Sequence, residues 1–259
     1  MSNIERLFLF VDKSTVHYTT NQKINSKSGN NSLSYDERMS RSWMAEILLP
    51  RLSSINHVDQ VQLGDDIRIA EIDHHWVLHS STGLTHIYKL GKCYIFDNHN
   101  HALYFRSQYM VQQTHQTSSD ISSDLKLIHI DQHSDLNTPR APIDISRRYD
   151  LDYLWRYTNF ECQISSFIKP FAKLYPQLDF AWIKSELQLL ESQVSSLKSR
   201  VFILDIDLDF RAPEMSIVNF DKTITLTRQL IAQADLVTIA SSPLFIDQQY
   251  ALDILHKLL

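Results

Sequence analysis

Two segments of this chain combine a β-strand pattern with acidic side chains at every second position. Leu127 to Pro139 reads LIHIDQHSDLNTP, an apolar run that passes into Asp131, His133 and Asp135 at i, i+2 and i+4. In extended backbone that period sets all three side chains on one face. Val201 to Phe210, VFILDIDLDF, repeats the arrangement with Asp205, Asp207 and Asp209 on one face of an otherwise apolar strand.

The remaining pattern sorts into elements around these two. Residues 4–11 predict a strand, 19–33 a loop rich in Asn, Ser and Lys, and Ser34–Glu37 a capping box. Met39, Trp43 and Ile47 then follow at helical spacing as far as Pro50. Residues 67–79 and 84–90 read as strands of a hairpin turning at Ser80–Gly83. Cys93–Phe96 and Ala102–Phe105 are β-prone pieces flanking the polar insert Asp97-Asn98-His99-Asn100-His101, and 112–124 reads as a surface loop.

The first acid-bearing strand takes 125–131, and 150–173 holds two aromatic-rich helical patches around Leu154 and Phe167. Beyond Pro176, Asp179 caps an expected helix with the stripe Ile183, Leu187, Leu190, Val194 and Leu197. The second acid-bearing strand, 201–209, is followed by a helix over 222–234, a strand over 236–240 and a helix from about Asp247. This alternation predicts a three-layer α/β/α fold with a mainly parallel sheet. No internal repeat or long linker divides the chain, so one domain is expected over 1–259, with 1–90 as a segment for substrate recognition.

Composition narrows the function. A hydrophobic content of 43% is enough for a full core, and a net charge of −5 argues against a nucleic acid or anionic membrane held by bulk electrostatics. Cys93 and Cys162 show no CxxC spacing, which fits a reducing compartment without disulfides. The short apolar start ends at Asp12 and Lys13, a poor signal peptide, and no run approaches a membrane span, so a cytoplasmic protein is expected. Only four glycines occur, none after Gly91. A P-loop or dinucleotide fingerprint needs clustered glycines, so the common nucleotide-dependent activities are excluded.

In open α/β sheets, sites form at the carboxyl ends of strands, and both acid arrays sit there. Carboxylates and an imidazole a few ångströms apart repel or desolvate one another unless they share a cation. A single Asp at such a place is an ordinary cap or surface residue; two period-two arrays point to metal. Asp73-His74-His75 with His79 is a weaker cluster, because residues 74 and 75 face opposite sides of a strand. Trp155, Phe167 and Trp182 lie in helical patterns and read as core.

Asp131-Gln132-His133-Ser134-Asp135-Leu136-Asn137-Thr138-Pro139 resembles the D-A-H-x-D-x-N-T-P signature of the arginase (ureohydrolase) family. Val201 to Pro213 resembles its second signature, S-F-D-x-D-x-x-D-P, with Ala212 in place of the last aspartate. Placing Pro213 on the final proline makes Asp207 and Asp209 the ligand pair, with Asp205/Asp207 as the alternative register. Asp97-Asn98-His99 takes the place of the upstream G-G-D-H without its glycines. The likeness is greater still to a divergent arginase-like group with an acid-x-His-(His/Asn) segment and a downstream L-D-I-D-L-D-F. Some members of that group are peptide arginases, which convert arginine side chains to ornithine during maturation of ribosomally made peptides.

The resemblance implies an arginase-like fold and a ligand set of His99, Asp131, His133, Asp135, Asp207 and Asp209. Such an oxygen-rich set without thiolate suits two Mn²⁺ ions better than a structural Zn²⁺. It implies hydrolysis of a guanidinium by metal-activated water to give urea and ornithine, with Asp135 orienting the water and passing on its proton. His101 becomes a candidate proton shuttle, Asn137 a candidate substrate contact and Asp247 a candidate acid for the guanidinium. Residues 140–160 hold no histidine to match the usual shuttle after N-T-P, a departure that favours arginine within a peptide over free arginine. A free-guanidino ureohydrolase, a deacetylase-like amide hydrolase and a non-catalytic, metal-stabilised peptide-binding protein are the alternatives.

Overall fold

Val201–Asp207 is buried at every position, as a strand with neighbours on both edges and helices on both faces must be. The computed structural model of the protein describes residues 51–72, 78–117, 124–139, 141–191 and 200–259. In chain order its strands are β1 (Leu52–Ile55), β2 (Leu63–Ile72), β3 (Leu78–Leu84), β4 (Ile87–Leu90), β5 (Cys93–Phe96), β6 (Leu125–Ile130), β7 (Asp179–Ile183), β8 (Val201–Asp207) and β9 (Leu236–Ala240). The helices are α1 (His101–Thr117), α2 (Leu151–Arg156), α3 (Ile168–Leu174), α4 (Glu186–Glu191), α5 (Phe220–Gln233) and α6 (Gln248–Leu258).

Seven strands form one sheet in the order β1-β4-β5-β9-β8-β6-β7, and β2 pairs with β3 in a separate antiparallel ribbon. Within the large sheet only β4 and β5 run antiparallel to each other. The period-two alternation of the strands feeds two cores. Ile128, Ile130, Leu204, Ile206, Val237 and Ile239 pack toward α4, α5 and α6. Leu125, Leu127, Val201, Ile203 and Leu236 pack toward α1, α2 and α3. The fold is therefore a three-layer α/β/α arrangement with a mainly parallel sheet, as the alternation of elements predicts.

Three elements depart from expectation. Ala102–Phe105, read as β-prone, lies in the first turns of α1, which runs on to Thr117 through part of the expected loop. All but one of the residues 101–111 are buried, so this helix has no polar stripe to betray its period. Asp179–Ile183, read as the start of a helix, is edge strand β7, paired in parallel with β6. The ribbon does not turn at Ser80–Gly83, since β3 runs through these residues. Gly83 serves a close approach instead: a Cβ there would lie 2.5 Å from Asp97 Oδ2. The expected strand over 4–11, the helix after Ser34 and Asp73-His74-His75 fall outside the described residues.

Candidate metal centre

β5, β9, β8 and β6 are consecutive in the sheet and mutually parallel, so four carboxyl ends meet at one edge. The chain leaves β5 into Asp97-Asn98-His99 and β6 into Asp131–Asp135. It leaves β8 into a single 3₁₀ turn, Leu208–Arg211, that carries Asp209, and β9 into Ser241–Phe245. All six residues implied as ligands line one cavity of about 230 Å³ there, together with Asp97, Asn137, Ser165, Ser242 and Phe245.

The loops after β6 and β8 are each held by one oxygen of their own aspartate. Asp131 Oδ1 accepts from His133 N at 2.6 Å, and Asp207 Oδ1 accepts from Asp209 N at 2.9 Å. These local turns, of the kind Asp side chains favour, leave the second oxygens aimed inward. His99 Nδ1 lies 3.1 Å from Asp131 Oδ2, 3.3 Å from Asp135 Oδ2 and 3.0 Å from Asp207 Oδ2. His133 Nδ1 lies 3.5 Å from Asp131 Oδ1 and 3.1 Å from Asp209 Oδ2. Ser242 Oγ donates to Asp207 Oδ2 at 2.5 Å. Asp135 and Ser242, both lining the cavity, have left-handed backbone with φ of +50° and +45°. A non-glycine residue at such φ costs about 1 kcal/mol or more and persists where its surroundings enforce it.

Behind this layer, one row of the sheet is polar where its neighbours are apolar. His129, Asp205 and Thr238 face one another in register across β6, β8 and β9, and all three are fully buried. Asp205 Oδ2 is 2.7 Å from His129 Nδ1 and 2.9 Å from His99 Nε2, while Oδ1 accepts from Thr238 Oγ1 at 2.5 Å and pairs with the Arg106 guanidinium from α1. His129 Nε2 in turn lies 3.3 Å from Asp131 Oδ2.

Electrostatics describe a centre short of positive charge. Burial pushes up the carboxyls of Asp135 and Asp207, and the charge of Asp131 adds to both. Asp209 is raised to about 7 by burial and by Asp207. Burial disfavours the His99 imidazolium, but Asp205, Asp207, Asp131 and Asp135 outweigh it and hold that pKa well above the ordinary value. His133 is raised to about 10 by its hydrogen bonds with Asp131 and Asp209. Asp205 goes the other way: burial opposes its charge, yet Arg106 and the histidines keep it well below the carboxylate range.

His99, His129 and Asp131 form one group of donor atoms close enough to hold a metal ion; Asp131, His133 and Asp209 form another. The two share Asp131, and the buried His/Asp cluster is thus a candidate metal site. No protein-family model matches this chain, and no curated protein matches it.

The structure brings Asp207 and Asp209 to the cavity and turns Asp205 away beneath it. Asn137 stands exposed at the rim. His101 does not line the cavity: as the first residue of α1 it turns its ring onto Phe96 and Trp155 and places Nε2 3.1 Å from Asn159 Oδ1. Burial lowers its pKa to about 4. Asp247 does not line it either; it caps α6 by accepting from Tyr250 N at 2.9 Å. Sequence reasoning passed over His129, Arg106, Thr238 and Ser242. For His129 a signal was present, since it precedes Asp131 by two residues and continues the same strand face. Arg106 and Ser242 carry no such periodic mark.

Proposed function

We propose that this protein is a binuclear-metal hydrolase that converts arginine side chains within a peptide to ornithine, releasing urea. The observation that carries the reading is the convergence of Asp131, Asp135 and Asp207 on His99 Nδ1, beside His133 with Asp131 and Asp209. Four carboxylates and two imidazoles fit a pair of hard divalent cations, with Mn²⁺ the best match. His99, Asp131, Asp135 and Asp207 would hold one, and His133, Asp131, Asp207 and Asp209 the other. When bound, the pair supplies Lewis acidity and a water acidified to near neutral pH. Asp131 Oδ2 and Asp209 Oδ2 face inward onto the imidazoles of His99 and His133, where metal-seeking oxygens would stand.

The lining also supports a cationic side chain of peptide origin. Asp97, Asp131, Asp135, Asp207 and Asp209 line the cavity, and among the described residues no Lys or Arg joins them. An anionic cavity suits a guanidinium, and its described lining offers no cationic side chain to the α-carboxylate of free arginine. Ile164, Pro243, Leu244 and Phe245 form the apolar part of the wall, against which the aliphatic stem of arginine can pack. Water supplies the oxygen that bonds to the guanidino carbon, and Asp135 takes one of its protons and passes it to the departing Nε as the bond from Nε to that carbon breaks. That nitrogen leaves as the ornithine amine, and the carbon leaves as urea.

The test is urea release by Mn²⁺-loaded protein offered free arginine, arginine blocked at both termini, and an arginine-containing peptide. Urea from the blocked and peptide substrates, with a lighter peptide carrying ornithine, is the expected result. Urea mainly from free arginine would replace this reading with an ordinary ureohydrolase. Silence from all three with metal bound would sink it, and acyl-lysine peptides would be tried next.

A further inference from the structure

The polar row beneath the cavity calls for an account of its own. Asp205, His129 and Thr238 are fully buried in a sheet row flanked by apolar rows, and Arg106, just as buried, reaches them from α1. A buried ion pair in such a place rarely stabilises a fold more than apolar side chains of the same volume would. His129, Arg106 and Thr238 converge on the Asp205 carboxylate, which also lies against the rear nitrogen of His99.

We infer that Asp205, fixed by Arg106 and Thr238, is a positioning residue that keeps His99 Nδ1 turned toward the metal centre. An imidazole that binds a metal through one nitrogen needs its proton on the other, and a carboxylate behind it sets that tautomer and the ring orientation. His99 has this arrangement: Nδ1 faces Asp131, Asp135 and Asp207, while Nε2 faces Asp205 Oδ2 at 2.9 Å. Arg106 and Thr238 occupy the other oxygen, so Asp205 cannot rotate its acceptor away from His99. The guanidinium lies over the rings of Phe167 and Phe171, 5.1 and 5.8 Å from their centroids, which holds it in place. The charge of Arg106 offsets that of Asp205, so the carboxylate steadies His99 without itself drawing the cation inward.

The inference rests on the metal centre proposed above and not on its substrate. Its test is a calorimetric Mn²⁺ titration with electron paramagnetic resonance, on wild type and two variants. In D205N the Arg106 guanidinium and the Thr238 hydroxyl require the amide oxygen, so the amide NH₂ faces His99. The His99 proton is then driven to Nδ1, the nitrogen the metal needs. The double variant R106M/D205L replaces the buried pair with apolar groups and keeps the core filled. In both variants one of two Mn²⁺ ions is expected to bind about 10- to 100-fold more weakly. The coupled signal of the pair should give way to that of an isolated ion, while metal-free R106M/D205L melts close to wild type.

Two Mn²⁺ ions bound with wild-type affinity by both variants would overturn the inference, leaving the row a structural one. Loss of the metal-free fold in both variants would assign the row to the core and overturn it too. Wild-type protein that takes up no Mn²⁺ would remove the metal centre and this inference together. Wild-type protein that binds the pair but releases no urea would count against the substrate alone.

Discussion

Asp131 carries the largest share of the site's connections: Oδ1 fixes the loop through His133 N, and Oδ2 faces both His99 and His129. D131A and D207A should each abolish metal retention and urea release together, as read by metal analysis after desalting. Retained turnover in either variant would sink the scheme. The histidines give a pH prediction whose sign follows from their partners. His133, with a pKa of about 10, and His99, held well above its ordinary value, both keep their protons at neutral pH in the metal-free protein. A cation must displace those protons, so binding releases them, weakens as pH falls and strengthens toward pH 10. Titration calorimetry in two buffers of different ionisation enthalpy counts the protons; a count of zero at pH 7 would contradict the arrangement. Of the residues at the cavity, Asp131, His133, Asp135, Asp207 and Asp209 stand out in the sequence as two period-two arrays and His99 by resemblance. His129 was legible in principle, but Arg106 was not, because nothing local distinguishes a buried, paired arginine from a surface one.

At the scale of elements, the departures from expectation have a common physical cause. The first three turns of α1, residues 101–111, are buried nearly all round, and β7 is a half-exposed edge strand, so neither shows the periodicity of a surface helix or a central strand. The strands and helices from β8 onward were legible because β8 and β9 are short apolar runs, while α5 and α6 each bury one face. Asp247 gives an element-level prediction: D247A removes the cap of α6 and should cost about 1 kcal/mol in a urea melt. An unchanged melt would overturn the capping role. Gly83 gives another. The Asp97 carboxylate accepts from Leu84 N and Ser241 Oγ, tying the end of β3 to the loop after β9, and leaves no room for a Cβ at position 83. G83A should destabilise the metal-free protein by roughly 1–3 kcal/mol, the usual range for overpacking, and an equilibrium melt without metal reads this directly. Wild-type stability would mean that Asp97 moves aside at no cost.

For the whole molecule, topology does the gathering. Residues from four separated loops meet only because β5, β9, β8 and β6 lie side by side and point the same way. The order of elements in the sequence predicts the parallel layers, but not that β9 inserts between β5 and β8 and so brings Ser242 against Asp207. Among the described residues no helix is long and apolar enough to cross a membrane. The gathering has a thermodynamic consequence. Asp135, Asp207 and Asp209 are buried beside one another and resist ionising together, so the metal-free fold gives up stability to keep them close. A divalent cation that binds only the folded state returns that stability by mass action, about 2.7 kcal/mol at a hundredfold excess over Kd. For a chain of 259 residues this corresponds to a rise in Tm of roughly 5–10 °C, reversed by a chelator. Thermal melts with Mn²⁺ and with chelator should differ by that amount in wild type and by much less in D131A. An equal Tm at millimolar Mn²⁺ would mean that protons, not metal, hold the carboxylates together, and the centre would then have no hydrolytic chemistry to offer.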